Sequence, residues 1–215
     1  MALKTKIRTY SADSDLIARR RQEIAIAAFH ALAKKGFDRT SVREIAKACH
    51  MAQGTIYYYI GSKKDIFDLL LTQAKAHYEE FFEKADAYFK TLSPTQALKQ
   101  TIEDFYRKLD ERQDFALFCY QEAKNMSPSQ QKTLLDWDRS VVDVFRRLLT
   151  KGCASGEFVI ADVTLVAHHI VVDSAMWAVR RWFLREYYTL EEYIRKEVQF
   201  ILAAICRDGG ISNEG

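Results

Sequence analysis

Apolar residues recur every three or four positions along most of this 215-residue chain, with charged residues between them. That spacing places the apolar side chains on one face of a helix. The chain has only two prolines, and each directly follows a serine, an arrangement that opens a helix and does not interrupt one. The pattern therefore predicts an all-α fold of about nine helices. It predicts helices from about Leu16 to Lys35 and from Val163 to Trp182, a break near Thr91 and a loop over Gly152–Gly156.

The segment from Thr40 to Asp65 predicts two short helices joined by a tight turn, followed by the start of a third. Ser41 and Glu44 form a capping box at the start of the first short helix. Residues 50–52 make the turn, and the second helix opens at Gln53. This is the layout of a DNA-binding helix-turn-helix, whose second helix enters the major groove.

Two stretches, GFDRTSVREIAKAC (36–49) and GTIYYYIGSKKDIF (54–67), closely resemble the N-terminal signature of the TetR family of bacterial transcription regulators, in its AcrR-like form. His50 stands where the family usually has glycine; because histidine tolerates a left-handed turn, we expect the turn to be intact. Ala52 stands where a serine or threonine commonly caps the recognition helix, so that cap is expected to be missing. Tyr59-Ile60 replaces the usual His-Phe, which alters a phosphate contact and keeps an apolar plug.

The motif and the resemblance together imply a set of DNA contacts. The first residues of a recognition helix meet base edges: Gln53 could bond an adenine, and Thr55 could meet a thymine methyl group or a phosphate. Gly54 would let the backbone come close to the DNA. The resemblance adds contacts to the DNA backbone, including one from Lys63 at the start of the next helix. The predicted DNA-binding residues are Thr40, Ser41, Arg43, Gln53, Gly54, Thr55, Tyr57, Tyr58, Tyr59 and Lys63.

The charge distribution agrees with this placement. Residues 1–65 hold 13 Lys/Arg and 6 Asp/Glu, a net charge of +7, whereas residues 66–215 hold 19 and 23, a net charge of −4. Positive charge on the segment with the motif favours a polyanionic partner. We therefore expect a DNA-binding domain over 1–65, with its first ten residues a flexible basic arm. A larger helical domain for ligand binding and dimerisation follows over 66–215, and its tail after Arg207 is expected to fray.

Dimerisation is expected because one helix-turn-helix contacts few base pairs, and specificity requires two at a fixed spacing. The chain from 163 to 182 is apolar on nearly all sides, and the last helix carries an apolar stripe. These two helices resemble the pair that forms the family's dimer interface. The alternative is that both belong to a monomeric core. The predicted interface residues are Val166, Ile170, Trp177, Ile194, Val198, Ile201 and Ile205.

The middle helices are rich in aromatic residues, which is typical of an ordinary core. The resemblance implies instead a small-molecule cavity, whose filling shifts the helix after the motif and releases DNA. The run MWAVRRWF (176–183) weakly resembles a subgroup that responds to acyl-CoA-like compounds; its two arginines could attract phosphate or could be salt-bridged. The candidate ligand residues are Phe105, Phe118, Tyr120, Trp137, Trp177, Arg180 and Arg181.

Other kinds of chemistry find little support. The four cysteines are scattered without a CxxC pair and are expected to be reduced. His168, His169 and Asp173 suggest a metal site, but only His169 and Asp173 have the spacing of ligands that share a face, and a buried polar pair is the expected alternative. No metal or cofactor is predicted. No apolar run could cross a bilayer and the N-terminus lacks a signal-peptide core, so a cytoplasmic, nucleoid-associated protein without a membrane partner is expected.

The sequence thus predicts a ligand-responsive transcriptional regulator, by the family's common mode a repressor. It would bind a palindromic double-stranded DNA operator as a homodimer and be released by a small hydrophobic or acyl-CoA-like effector. An enzyme is not predicted, because the chain has no Glu-x-x-His pair, phosphate-binding glycine loop or nucleophile elbow. The alternative is a helical small-molecule-binding protein without a DNA function.

Overall fold

The computed structural model describes the backbone of residues 14–206 and, apart from 14, 15 and 33, their side chains. The predicted basic arm and frayed tail lie outside these residues. The described chain is helical, with no strand and one isolated antiparallel bridge between Phe158 and Cys206. Its helices are α1 Ser14–Arg39, α2 Val42–Ala48, α3 Gln53–Ile60, α4 Asp65–Thr91, α5 Pro94–Glu111, α6 Gln113–Glu122, a 3-10 turn Ala123–Asn125, α7 Pro128–Ser155, α8 Val163–Val179, α9 Arg181–Leu184 and α10 Leu190–Ile205. The all-α prediction is confirmed.

The chain divides into two compact units, residues 1–73 and 74–215, and the division falls within α4. In the first unit, α1, α2, α3 and the start of α4 bury a small apolar core. Its fully buried members are Ile24, Ala28, Ile45, Ile56 and Ile66. This core holds α2 and α3 in the angular arrangement that the turn between them requires.

The second unit is built around the long helices α5, α7, α8 and α10, together with the later part of α4. Its core contains many aromatic rings packed edge to face, such as Phe105 against Phe145 with centroids 5.5 Å apart. Both prolines lie in the first turn of a helix behind a capping serine, Pro94 in α5 and Pro128 in α7, as predicted. None of the described helices is long and apolar enough to span a membrane.

Two predicted helices have different limits in the structure. The helix predicted from about Leu16 to Lys35 does break at Gly36, whose φ of 75° and ψ of 171° are not helical, although one further turn follows before Arg39. The helix predicted to continue to Trp182 ends at Val179, and the short α9 follows. Neither glycine nor proline marks this second break, so the local sequence gave no signal for it.

The loop predicted over 152–156 is wrong for most of its length. α7 continues to Ser155, and only Gly156, with a φ of 79°, ends it. Gly152 lies inside the last turn for a packing reason: a Cβ atom there would stand 2.0 Å from the ring of Phe158. That glycine is required by a close approach of side chain to backbone rather than by a turn.

Candidate DNA-binding helix and effector cavity

The helix α3 buries one narrow face and presents the rest to solvent. Ile56 and Ile60 point into the core of the first unit. Gln53, Gly54 and Thr55 are all exposed in the first turn. Further along, Tyr57 is exposed and Tyr58 is 71% exposed, the largest value for any tyrosine in the described chain. An amphiphilic, uncharged and mostly solvent-facing helix of this kind can enter a groove without refolding.

Gly54 has no structural reason to be glycine. A Cβ atom built at this position meets nothing within 4 Å, and its backbone is not in the left-handed region. Glycine in a helix is destabilising by roughly 0.5–1 kcal/mol relative to alanine. The fold therefore gains nothing from this glycine and leaves open space in front of its backbone.

The turn before α3 has the geometry expected from its sequence. His50 has a φ of 54°, the left-handed conformation for which the family usually has glycine. Ala52 precedes α3 in an extended conformation and makes no side-chain cap. Both predictions about the turn are confirmed, and backbone N–H groups at the start of α3 therefore lack a capping side chain.

The start of α2 carries the predicted capping box. The Ser41 hydroxyl accepts from the Glu44 amide at 3.2 Å, and the Glu44 carboxylate accepts from the Ser41 amide at 2.9 Å. Lys35 also pairs with Glu44 at 2.5 Å, and these hydrogen bonds lower the pKa of that carboxyl to about 2. Arg43 points to solvent beside them. Thr40 corrects the prediction: it is 1% exposed and its hydroxyl donates to backbone carbonyls, so its side chain cannot reach DNA.

Lys63 is tied to the fold more closely than the sequence indicated. Its ammonium donates to the Phe37 carbonyl at 2.5 Å and lies 4.3 Å from the centre of the Phe37 ring. An ammonium has three donors, so the bond to the Phe37 carbonyl leaves two of them for other partners. Sequence reasoning missed Arg21, whose guanidinium donates to the Tyr59 carbonyl at 3.2 Å and fixes the end of α3.

The second unit contains a cavity of about 720 Å³, within the range of small-molecule sites. Residues from α4, α5, α6, α7, α8 and the 3-10 turn line it. Its aromatic lining residues are Tyr78, Phe105, Phe115, Tyr120 and Trp137, and its polar ones include Arg112, Lys124, Gln131, Asp138 and His168. A largely apolar wall with a few polar groups suits an amphipathic organic molecule.

Three of the seven predicted ligand residues, Phe105, Tyr120 and Trp137, line this cavity. The other four lie outside the lining of this cavity. Phe118 and Trp177 are each 2% exposed within the core. Arg180 stacks over Trp182 and Phe183, and Arg181 lies 3.8 Å from Asp114. The two arginines are held by neighbouring side chains of the same chain, which was one of the alternatives considered from sequence.

Two family models match most of the chain. One, described as bacterial regulatory proteins of the tetR family, matches residues 24–70; the other, described as a tetracyclin repressor-like C-terminal domain, matches residues 91–205. The chain belongs to the TetR family. As a TetR-family transcriptional regulator it is a DNA-binding protein and not an enzyme.

Three similar proteins illustrate the relationship. The HTH-type transcriptional regulator HbdR of Aromatoleum sp. (strain CIB) is 22% identical over 197 residues, which cover 91% of this chain and 85% of the relative. A bacterial regulatory protein in the tetR family from Rhodococcus RHA1 has a TM-score of 0.77 at 22% identity, over 88% of this chain and 99% of the other. The regulator FadR from Bacillus subtilis, in complex with stearoyl-CoA, has a TM-score of 0.69 at 20% identity, over 89% and 99%. The structural likenesses establish the fold.

The predicted dimer residues of this TetR-family chain need correction. Six of the seven form the core of the single chain, each at most 6% exposed: Ile170, Trp177, Ile194, Val198, Ile201 and Ile205. The Trp177 indole N–H donates to Asp110 at 2.7 Å, and Val166 is partly buried against the same core. The outward surfaces of these helices instead carry Leu165 on α8 and Phe200 on α10, the latter 68% exposed.

The residues considered for a metal site are dispersed. His168 lines the cavity, His169 faces solvent and Asp173 is half-buried, so the expected buried pair of His169 and Asp173 does not form. Within residues 14–206, no group of three or more His, Cys, Asp or Glu could hold a metal ion. The four cysteines are free thiols in half-buried positions.

Proposed function

We propose that this protein is a ligand-responsive repressor that binds a palindromic operator as a homodimer and is released by a small amphipathic effector. DNA binding is assigned to residues 1–65, and effector binding and dimerisation to residues 66–215. The proposal places the protein at the nucleoid, in the cytoplasm. The observation that carries it is the exposed first turn of α3, in which Gly54 faces open space that the fold does not need.

Within the DNA-binding domain, α3 would contact base edges and the surrounding residues would contact the DNA backbone. Gln53 and Thr55 are exposed in the first turn, where base edges come within reach. Arg43 is exposed at the start of α2 and would contact a phosphate. Tyr58, the most exposed tyrosine of α3, would add a hydroxyl contact to phosphate or base.

The effector would occupy the cavity in the second unit. An aromatic wall favours an alkyl or aryl body. Arg112 and Lys124 also line the cavity, and neither makes an ion pair with another described residue. Arg181 of α9, by contrast, is paired with Asp114. Two unpaired cations favour an anionic end group. The FadR structure with stearoyl-CoA supports an acyl-CoA-like compound as one such amphipathic anion.

The dimer would form through the outward surfaces of α8 and α10 rather than through their buried stripes. Leu165 and Phe200 are large apolar residues exposed on those surfaces, and Ala203 and Ala204, also exposed, would allow close approach of a second copy. A two-fold interface is self-complementary, so one such surface serves both protomers. The two DNA-binding domains of such a dimer would then contact the two half-sites of a palindromic operator.

A gel-shift titration on the DNA upstream of the protein's own gene, repeated over a series of salt concentrations, tests the DNA function. We expect affinity to fall steeply as salt rises, because phosphate contacts release counterions. Thr55→Ala should reduce the ratio of the affinity for operator DNA to the affinity for unrelated DNA. Arg43→Ala should lower both affinities by about the same factor. A DNA affinity that does not change with salt concentration, or equal effects of the two variants on sequence preference, would contradict the proposed roles.

Native mass spectrometry of the purified protein tests the effector role. We expect an amphipathic molecule to co-purify, and its extract, added back to stripped protein, should release operator DNA in the gel shift. Because binding linkage is reciprocal, operator DNA should weaken binding of that molecule by the same factor. A bound molecule that leaves DNA affinity unchanged would argue against ligand-controlled repression.

A further inference from the structure

Asp138 is an unpaired carboxyl in the wall of the cavity. It lies on α7 and lines the cavity together with its helix neighbours Leu134, Trp137 and Val141. It is half-buried, and burial raises the pKa of its carboxyl, an effect that His168 partly opposes. Among the described residues it makes no hydrogen bond or ion pair.

Other acidic residues of α7 are placed differently. Asp136 pairs with Lys132 at 2.9 Å, and Asp143 pairs with Arg146 at 2.8 Å, both on the outer surface of the helix. Of these three carboxyls, only Asp138 lines the cavity, and it makes no ion pair with a described residue. A carboxyl on the apolar stripe of a helix is destabilising unless something bonds to it.

None of the donors that line the cavity bonds to Asp138: Arg112 and Lys124 make no ion pair with it, and Tyr120 interacts with it electrostatically without a hydrogen bond. Gln131 also lines the cavity, but its amide group donates to the Ala123 and Met126 carbonyls, at 3.0 and 3.3 Å. His168 lines the cavity and interacts with Asp138 electrostatically, yet no ion pair within 4.0 Å joins them. No described side chain therefore satisfies this carboxyl.

A bound effector would exclude solvent from the carboxyl. A plain hydrocarbon body would leave the carboxyl without a partner, which costs the desolvation free energy of the group. A hydroxyl or amine on the ligand would donate to the carboxyl and avoid this cost. Sites that bond a ligand hydroxyl discriminate strongly against the analogue that lacks it.

We propose that Asp138 selects an effector that carries a hydrogen-bond donor, such as a hydroxyl group, on its otherwise apolar body. This rests on the proposed function, in which the cavity is the effector site. The expected ligand therefore differs from an unsubstituted saturated acyl chain, which has no hydrogen-bond donor along its length. Asp138 is thus a specificity-determining residue.

The test uses full-length protein stripped of bound molecules and the fluorescent probe 1-anilinonaphthalene-8-sulfonate. Dissociation constants of dodecanoate and of its 2-, 3- and 12-hydroxy derivatives are measured by displacement of that probe. All four compounds carry the same carboxylate, so charge effects cancel in the ratio of their affinities. The variants are Asp138→Leu, Asp138→Asn, His168→Gln and, as a matched control on the outer surface of α7, Asp143→Leu; circular dichroism checks that each is folded.

We expect at least one hydroxylated acid to bind the wild-type protein about tenfold more tightly than dodecanoate. Asp138→Leu should bring that ratio to about one and bind dodecanoate more tightly than the wild type does. Asp138→Asn, which keeps an acceptor oxygen, should retain most of the preference, as should His168→Gln and Asp143→Leu.

Two results would overturn the inference. The wild type could bind dodecanoate as tightly as every hydroxylated acid, or the preference could survive in Asp138→Leu. If the preference survived in Asp138→Leu and was lost in His168→Gln, the histidine would be the recognition group. In each of these cases the cavity would still bind these acids, so the proposed effector site would stand. If no acid displaced the probe from either the wild type or Asp138→Leu, both the proposed amphipathic effector and this inference would be wrong.

Discussion

The two compact units place their aromatic residues in opposite environments. The first unit exposes Tyr57 and Tyr58 on a helix that needs only Ile56 and Ile60 for its packing. The second unit buries most of its rings, and two of those that line the cavity, Tyr78 and Phe105, are also part of the core. Function at a surface is therefore separable from stability in the first unit, whereas in the second unit the same side chains support both.

Phe105→Ala tests this coupling where we expect the largest effect. Phe105 is 3% exposed and packs against Phe81 at 5.2 Å and Phe145 at 5.5 Å between ring centroids. Removing a buried ring leaves a void, so the free energy of unfolding should fall by about 3–5 kcal/mol in urea titrations.

Tyr120→Ala is the control from the same cavity. Tyr120 is 57% exposed, so its removal should change the free energy of unfolding by no more than about 1 kcal/mol. Similar losses in both variants would show that the cavity wall is not divided into core and ligand-facing residues.

Gly54→Leu, in the first unit, should raise the stability of the protein and lower its affinity for operator DNA. Because nothing lies within 4 Å of a Cβ at this position, the side chain fits the free protein, and helix propensity should raise stability by about 0.5–1 kcal/mol. In the complex the same side chain would hold the backbone away from DNA. We expect operator affinity to fall about 100-fold, or roughly 2.7 kcal/mol, in the gel shift. A variant that binds as the wild type does would remove the main support for α3 as the recognition helix.

The two units also differ in how much of each could be predicted from the sequence, because the features of the first are local and the cavity of the second is not. The turn at His50 and the capping box of Ser41 depend on residues within a few positions of each other, and both were predicted. The cavity depends on residues from Tyr78 to Met176 brought together by five helices, and its position was not predicted. Asp138 carried one local signal, a carboxyl on the apolar stripe of α7, which pattern reasoning could have detected.

The misassigned dimer residues have a related cause. A stripe such as Ile194, Val198 and Ile201 has the same spacing whether it faces the chain's own core or a second copy. Periodicity identifies the buried face of a helix but not the element that covers it. Phe200, which interrupts the polar side of α10, was the more informative residue.

Phe200→Glu tests the revised interface with an intermediate effect. Since Phe200 is 68% exposed, a charge there should leave the folded chain intact. At a two-fold interface it would place one carboxylate on each protomer's contact surface, weakening the dimer by about 2 kcal/mol, or roughly 30-fold. Sedimentation velocity over a concentration series measures this. Gln121→Glu, which adds the same single charge at an exposed position of α6, is the control for added charge alone. An unchanged dimer in Phe200→Glu would place the interface elsewhere.

The smallest expected effect compares a capping box from each unit. Glu44 in the first unit has a pKa lowered to about 2 by Lys35 and Ser41, and Glu192 in the second has a pKa lowered by hydrogen bonds from Thr189. A carboxyl whose pKa is lower in the folded state stabilises the protein above its unfolded-state pKa, and the contribution is lost as pH falls through the folded-state value. For Glu44 the loss should run from its ordinary value of 4.5 down to about 2.

Urea midpoints at pH 7 and pH 3 measure the contribution for the wild type, Glu44→Gln and Glu192→Gln. At pH 7 both variants should be slightly less stable than the wild type, and the differences should shrink at pH 3. The change should be larger for Glu44, because Lys35 contacts it at 2.5 Å and loses its partner on protonation. Both carboxyls are exposed, so 1 M salt should weaken the Glu44 effect more than the Glu192 effect, which arises mainly from hydrogen bonds to Thr189. A larger pH dependence at Glu192 would mean that the ion pair adds nothing to the capping box of the first unit.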